Sequence, residues 1–239
     1  MRALRSVAVI VPALDEEGSI AAVVAAVPRG GKASTFVVSD VVVVDNGSRD
    51  GTAVAARTAG ARVVAEPRRG YGAACLAGLE WLRWYPPDVV AFVDADASDD
   101  PAELPQLIAP LLERRADVVI GSRVLGASEP GALTPVQRFG NRLATGLIAA
   151  LFGVRFTDLG PFRAVAWDAL ERLGMRDRGY GWTVEMQARA ARLGLRCVEV
   201  PVCYRRRRAG RSKVSGTLRG SVGAGTKILL TILRVWVGG

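Results

Sequence analysis

Two aspartates one residue apart, Asp94 and Asp96, follow the apolar run Val89-Val90-Ala91-Phe92-Val93. They open FVDADASDDPAEL (92–104), a stretch with five carboxylates in thirteen positions. On a regular strand, side chains at i and i+2 point the same way. At a strand's carboxyl end such a pair can chelate one divalent cation and accept bonds from a ligand hydroxyl. Hard cations such as Mg2+ or Mn2+ take oxygen ligands and often share them with substrate phosphates. The bland alternative is a helix cap with surplus surface acids, because Asp99-Asp100 before Pro101 is itself a capping signal.

Three further stretches combine chemistry-bearing residues. In VVVVDNGSRDGT, Asp45 leaves an apolar run into the turn residues Asn46-Gly47-Ser48, a place for recognising a base or ribose or simply a strand-turn-helix joint. In RRGYGAACLAGL, Arg68 and Arg69 precede a Gly-rich turn into a helix start, where free N–H groups favour anions. The full G-x-G-x-x-G pattern is missing, so this turn alone is a weak signal. In YRRRRAGRSKVSGTLRG, seven basic residues lie between Arg205 and Arg219. Clustered arginines suit phosphates, because the planar guanidinium binds them bidentately. Few aromatics interleave with this cluster, which argues against nucleic acid.

Composition narrows the chemistry. The chain has 239 residues and a net charge of +9, with no histidine. Ser-His-Asp and Cys-His catalysis are thereby excluded, leaving carboxylates, Lys, Arg or backbone for any proton or charge work. Three scattered cysteines without a C-x-x-C read as reduced thiols of a cytosolic chain. The start lacks the features of a signal peptide. No apolar stretch approaches the roughly 20 residues of a membrane span. The terminal KILLTILRVWVGG could lay one face on a membrane surface or pack as an ordinary amphipathic helix.

The elements that must position these residues follow from periodicity. Apolar, β-branched runs at 6–11, 40–44, 62–65, 89–93 and 116–120 alternate with helix-length segments at 16–27, 50–60, 71–84 and 101–114. That alternation predicts βαβ units and a parallel sheet buried on both faces. Ligands bind such sheets at the carboxyl ends of the strands, where Pro12–Glu16, Asp45 and Asp94–Asp96 fall. Further on, a turn-rich connection, an amphipathic helix at 135–152, a compact stretch at 157–173, a helix in GWTVEMQARAARLG and a strand at 196–202 elaborate the same sheet.

Seven stretches occur in order: VIVPALDEEGSI, VVVVDNGSRDGTA, RRGYGAACLAGL, FVDADASDDPAEL, VIGSR, DLGPFRA and GWTVEMQARAARLGLRCVEVPVCYRRRRAGRSKVSG. Together, over residues 6–220, they closely resemble the family-2 glycosyltransferases of the dolichyl- and polyprenyl-phosphate sugar synthase type. The resemblance implies one GT-A α/β domain at 1–220, its nucleotide-sugar half about 1–121 and its acceptor half about 122–220. An amphipathic helix at 221–239 follows. It implies inverting transfer from a nucleotide-diphosphate sugar (UDP or GDP) to polyprenyl phosphate, with Mg2+ or Mn2+ on the D-x-D. By the same resemblance, Pro12, Ala13, Glu16, Asp45 and Arg68 line the nucleoside site. Asp94 contacts ribose or metal, and Asp96 binds metal and diphosphate. Arg123, Arg138 and Arg142 meet the acceptor's phosphate, and Arg206, Arg207 and Lys213 close over the diphosphates. Asp158 and Glu185 are candidate catalytic carboxylates, although a turn cap and an i,i+4 pair of Glu185 with Arg189 would explain them equally.

Two departures from the family pattern bear on the substrates, the first on base or ribose contacts and the second on the acceptor. Asn46 stands where many relatives have a second acid, and GWTVE lacks the double-acid motif of hydroxyl-directed relatives. The second tilts the expectation toward a phosphate acceptor, which needs cationic positioning more than a base. Such an enzyme would be cytoplasmic, in peripheral contact with the inner membrane surface. A soluble transferase using a small hydroxyl or carboxyl acceptor, and a non-catalytic nucleotide-sugar binder, remain the alternatives.

Overall fold

The computed structural model describes residues 5–30, 35–208 and 218–238. Arg211 and Lys213 lie outside the described residues. Seven strands form one sheet: β1 (Arg5–Ala13), β2 (Phe36–Asp45), β3 (Arg62–Ala65), β4 (Val89–Phe92), β5 (Val118–Ser122), β6 (Arg163–Ala166) and β7 (Cys197–Pro201). Their spatial order is β3-β2-β1-β4-β6-β5-β7. Every neighbouring pair is parallel except the two made by β6, which runs antiparallel between β4 and β5. The sequence reading anticipated the parallel strands and missed β6, because Arg163-Ala-Val-Ala is too short to show a period.

The helices are α1 (Glu17–Ala26), α2 (Thr52–Thr58), α3 (Tyr71–Leu82), α4 (Leu104–Leu112), α5 (Pro135–Phe152), α6 (Trp167–Leu173), α7 (Trp182–Arg192) and α8 (Leu218–Gly238). They cover both faces of the sheet, so the central strands are apolar throughout. Ile10 and Phe92 face the layer of α3, α5 and α7, while Val9, Val11 and Ala91 face that of α1 and α4. Each fully buried Ile or Phe contributes about 1.5–3 kcal/mol relative to exposure. Trp182 is wholly buried and meets Phe92 edge-to-face with ring centroids 5.9 Å apart, so it is core, whereas Tyr180 is exposed. All three cysteines are free thiols.

α5 has the limits its sequence signals set. Thr134 and Gln137 form a reciprocal capping box, Pro135 fills the first turn, and Gly153 ends the helix with φ 72°. Within the described residues, no helix is long and apolar enough to cross a membrane.

Candidate active site

Because β2, β1 and β4 are neighbours in the sheet, their carboxyl ends bring three polar loops together. Asp15 and Ala97, in the loops after β1 and β4, both adopt the left-handed backbone region (φ 51° and 61°). Non-glycine residues held there cost energy that the surroundings must supply, and they concentrate at functional sites. At Ala97 the turn folds the Ser98 amide back onto Asp96 Oδ1, at 2.9 Å. Asp94 and Asp96 lie just past the end of β4, so a turn rather than strand alternation brings them together.

The opening stretch divides its carboxylates between two jobs. Asp100 is the cap: its Oδ1 accepts from the Ala102 amide at 3.1 Å, ahead of Pro101. Asp94, Asp96 and Asp99 cap nothing. Asp94 Oδ1 and both oxygens of Asp99 are shut off from solvent without a hydrogen-bond partner. Burial and then the Asp96 charge push the Asp94 carboxyl up to about 7. Burial, followed by Asp94, raises Asp99 well above the usual range. The Tyr71 hydroxyl faces Asp94 without completing a hydrogen bond of good geometry.

Among the described residues, the direct ion pair to this group comes from Arg207. Arg207 Nη2 lies 2.9 Å from Asp96 Oδ2, and its Nη1 reaches Glu16. The segment 204–208 is threaded beside the acidic loop by backbone bonds from Arg205 N to Ser98 O and Arg208 N to Asp96 O. Consecutive side chains of this extended segment splay apart. Arg205 pairs with Asp100 at 2.6 Å, while the Arg206 guanidinium is bound to the Pro130 carbonyl. Of the expected pair, therefore, Arg207 faces the carboxylates and Arg206 faces the 129–131 loop.

The other residues expected around the nucleoside sit at the same edge. Pro12 and Ala13 end β1. Glu16 is buried, its amide donating to Thr52 Oγ1 at 2.8 Å. Asp45 Oδ1 accepts from the Ser48 amide, and Arg68 is exposed. Asn46, the residue that departs from the acidic pattern, is 4% exposed and acts as a staple. Its Nδ2 donates to the carbonyls of Glu66 and Arg68, and its Oδ1 accepts from Gly70. A carboxylate could not donate those two bonds.

The Gly-rich turn corrects an expectation. The α3 start is not open to an anion, because the amides of Gly72 and Ala73 donate to the carbonyls of Gly179 and Arg178. A Cβ at Gly70 or Gly72 would stand 2.1 or 2.0 Å from the carbonyl oxygens of Arg178 and Asp177. Glycine is required there for close backbone approach.

On the other side of Asp94 lies the Arg123 group. Asp158, fully buried, takes Arg123 Nε and Nη2 in a fork at 2.7 Å each, plus the amides of Arg123 and Leu159. Burial opposes the Arg123 charge, but the Asp158 bonds raise its basicity above the ordinary value. Tyr204 lies against this guanidinium, 5.0 Å from ring centroid to Cζ. The Asp158 loop is fastened in turn by Gln187, Glu199 and Asn141, and by the buried Arg163 donating to the carbonyls of Leu159 and Gly160. Glu185 accepts from the amides of Arg176 and Asp177 and pairs with Arg189 at 2.9 Å. Every oxygen of Asp158 and Glu185 thus has a partner within the protein. Arg138 and Arg142 are exposed on α5.

Sequence reasoning overlooked Asp99, Tyr71, Tyr204 and Arg163. Only the acid run around Asp99 offered a signal, and there the capping explanation fitted Asp100.

This is the architecture of a GT-A glycosyltransferase: a mostly parallel sheet with paired carboxylates past a central strand. Residues 8–174 match the model of glycosyl transferase family 2, and the chain belongs to that family. An uncharacterized glycosyltransferase of Mycobacterium tuberculosis is 42% identical over 97% of this chain and 96% of its own length. The undecaprenyl-phosphate mannosyltransferase of Micrococcus luteus is 34% identical over 76% of this chain and 78% of its own. Among solved structures, glucosyl-3-phosphoglycerate synthase from M. tuberculosis, in complex with Mn2+, UDP and glucosyl-3-phosphoglycerate, superposes with a TM-score of 0.74. It is 26% identical, covering 97% of this chain and 80% of that one.

Proposed function

We propose that this glycosyltransferase moves a sugar, with inversion, from a UDP- or GDP-sugar to a polyprenyl phosphate. The donor would lie over the loops after β1, β2 and β4, with Pro12, Ala13, Glu16, Asp45 and Arg68 around the nucleoside. Asp94 and Asp96 suit Mg2+ or Mn2+, since the orphaned, buried Asp94 Oδ1 is a hard oxygen donor without a protein partner. Among the described residues no three acids already surround one point, so remaining ligands would come from the diphosphate. The ion would supply charge neutralisation on the leaving diphosphate. Arg207 would add a second positive group there.

The observation that carries the acceptor assignment is Arg123, a guanidinium fixed by Asp158 and leading to a helix with basic and apolar exposed faces. α5 contains Arg138 and Arg142 and no acid. It exposes Val136 (55%), Phe139 (70%) and Leu143 (46%) one to two turns apart. Cations beside an apolar stripe suit a phosphate on a lipid chain at an anionic membrane surface. α8 adds exposed Leu230, Leu233 and Trp236. An acceptor phosphate is already anionic near neutral pH, so Asp158 and Glu185 would act as positioning groups rather than as a base.

A second reading draws on the solved relatives, whose acceptor is a small phosphate ester. Transfer of labelled sugar to short-chain polyprenyl phosphate, to free polyprenol and to 3-phosphoglycerate separates the two. Product with polyprenyl phosphate alone is expected. Product with 3-phosphoglycerate alone would replace the lipid acceptor. Liposome flotation of the full chain, a chain lacking 226–239 and Phe139→Ser/Leu143→Ser tests the membrane contact. Loss of binding in the shortened chain or the double variant is expected, and equal flotation of all three would remove it.

A further inference from the structure

Glu16 and Asp96 are 6% and 7% exposed, come from loops eighty residues apart, and both bind the guanidinium of Arg207. Asp96 Oδ1 is taken by the Ser98 amide and its Oδ2 by Arg207. Asp94 Oδ1 is buried with no partner. Half of the D-x-D pair is therefore open and the other half is closed by a cation of the protein's own. A divalent ion on Asp96 Oδ2 would sit against the guanidinium, and like charges in a partly buried site repel strongly.

We infer that Arg207 is an exchangeable counter-ion: it neutralises Glu16 and Asp96 before the metal arrives, yields Asp96 to the metal, and turns to the donor's diphosphate. This inference rests on the metal-dependent donor reading above. The exchange requires only a side-chain rotation, because the backbone bonds of Arg205 and Arg208 hold the segment beside the acidic loop. It also gives the site an order. Yielding Asp96 leaves Arg207 on Glu16 with one carboxylate fewer, and the diphosphate restores the lost negative charge, so the metal alone binds weakly and the pair binds well. Among the described residues of the basic run, Arg205 pairs with Asp100, Arg206 with the Pro130 carbonyl, and Arg208 meets Asp96 through its amide, which singles out Arg207.

The test is a titration of the full chain with Mn2+ alone, following the free-ion signal by electron paramagnetic resonance. Arg207→Gln is expected to bind Mn2+ on the order of tenfold more tightly than the unaltered chain. Arg205→Gln removes the same charge from a residue paired with Asp100, and should change the affinity by less than about twofold. A gain absent from Arg207→Gln, or equally large in Arg205→Gln, overturns the exchange. Asp96→Asn tests the underlying reading separately: unchanged Mn2+ binding there would remove the metal site itself. Nitrogen-15 spectra of the arginine side chains with Mg2+ complete the test. The Arg207 Nη resonance bonded to Asp96 should shift as that bond is lost while the Glu16 bond persists, and an Asp96-bonded resonance unchanged at saturating Mg2+ overturns the proposal.

Discussion

The first 121 residues and the segment from 122 to 208 both present acids at the same edge of the sheet, yet treat them in opposite ways. In the first region Asp94 Oδ1 and both oxygens of Asp99 are buried without a partner, and Asp96 is balanced by an arginine from outside the region. In the second, Asp158 and Glu185 are buried, but every oxygen is bonded to an arginine or an amide. A buried polar group without a partner is costly and persists where a ligand completes it. A saturated carboxylate holds other groups in place. The contrast sorts the acids more sharply than their sequence motifs do.

The largest effect that could break this contrast is expected at Asp96. Asp96→Ala should weaken metal-dependent donor binding by at least about a hundredfold while circular dichroism stays unchanged. Wild-type donor affinity in that variant would make the first region's acids structural too. Next is Asp158→Ala, which leaves Arg123 buried without its partner. Removing one member of a buried pair costs about 3 kcal/mol or more, so denaturant unfolding should record a loss of that size. A stable, inactive variant would instead restore Asp158 as a reacting group.

Glu185→Gln sharpens the comparison at lower cost. It keeps the shape and weakens the bonds from Arg176, Asp177 and Arg189, a change of about 1–2 kcal/mol. Turnover should fall by less than about tenfold, whereas loss of a general base typically costs 10²–10⁴. Asn46→Asp replaces two donated bonds by repulsion between acceptors, and about 2 kcal/mol of stability should be lost, measured by the same unfolding experiment.

The last prediction concerns pH. Asp94 carries a proton up to about pH 7 in the folded chain, against an ordinary value of 3.8. The folded state therefore holds this proton where the unfolded state has lost it. The group's stabilising contribution is complete below 3.8 and disappears as pH rises through about 7. Metal binding runs the other way. Mn2+ affinity should rise by up to about tenfold per pH unit below 7 and level off above it, which an affinity-against-pH series would read.

Much of the first region could be read directly from the residues. Continuous Val and Ile runs are what a doubly covered parallel strand requires, so β1, β2, β4 and β5 and their polar ends were legible. β6 was not, since four residues packed between two strands carry no periodic signal and its Arg163 reads as an end rather than a middle. The D-x-D pair could be seen, but its free oxygens could not, because partner counts depend on loops far apart in the chain. The same limit hid the division of labour within Arg205–Arg208. Three of these identical side chains become a cap partner, a loop tie and a partner of Asp96, and Arg208 a backbone contact, only when the segment is laid beside residues 94–100. Asn46 shows the converse: a residue that looked like a weakened ligand is the fastener of the 66–70 loop.

The central claim is that the unpartnered acids of the first region take a nucleotide-diphosphate sugar through a divalent cation. Calorimetric titration of the full chain with UDP- and GDP-sugars, each in Mn2+ and again in EDTA, tests it most directly. One donor should bind in Mn2+ and weaken at least about tenfold in EDTA. At a hundredfold excess over Kd that donor should add about 2.7 kcal/mol to the stability of the chain. Equal affinity in EDTA, or no binding of any donor in Mn2+, would contradict it.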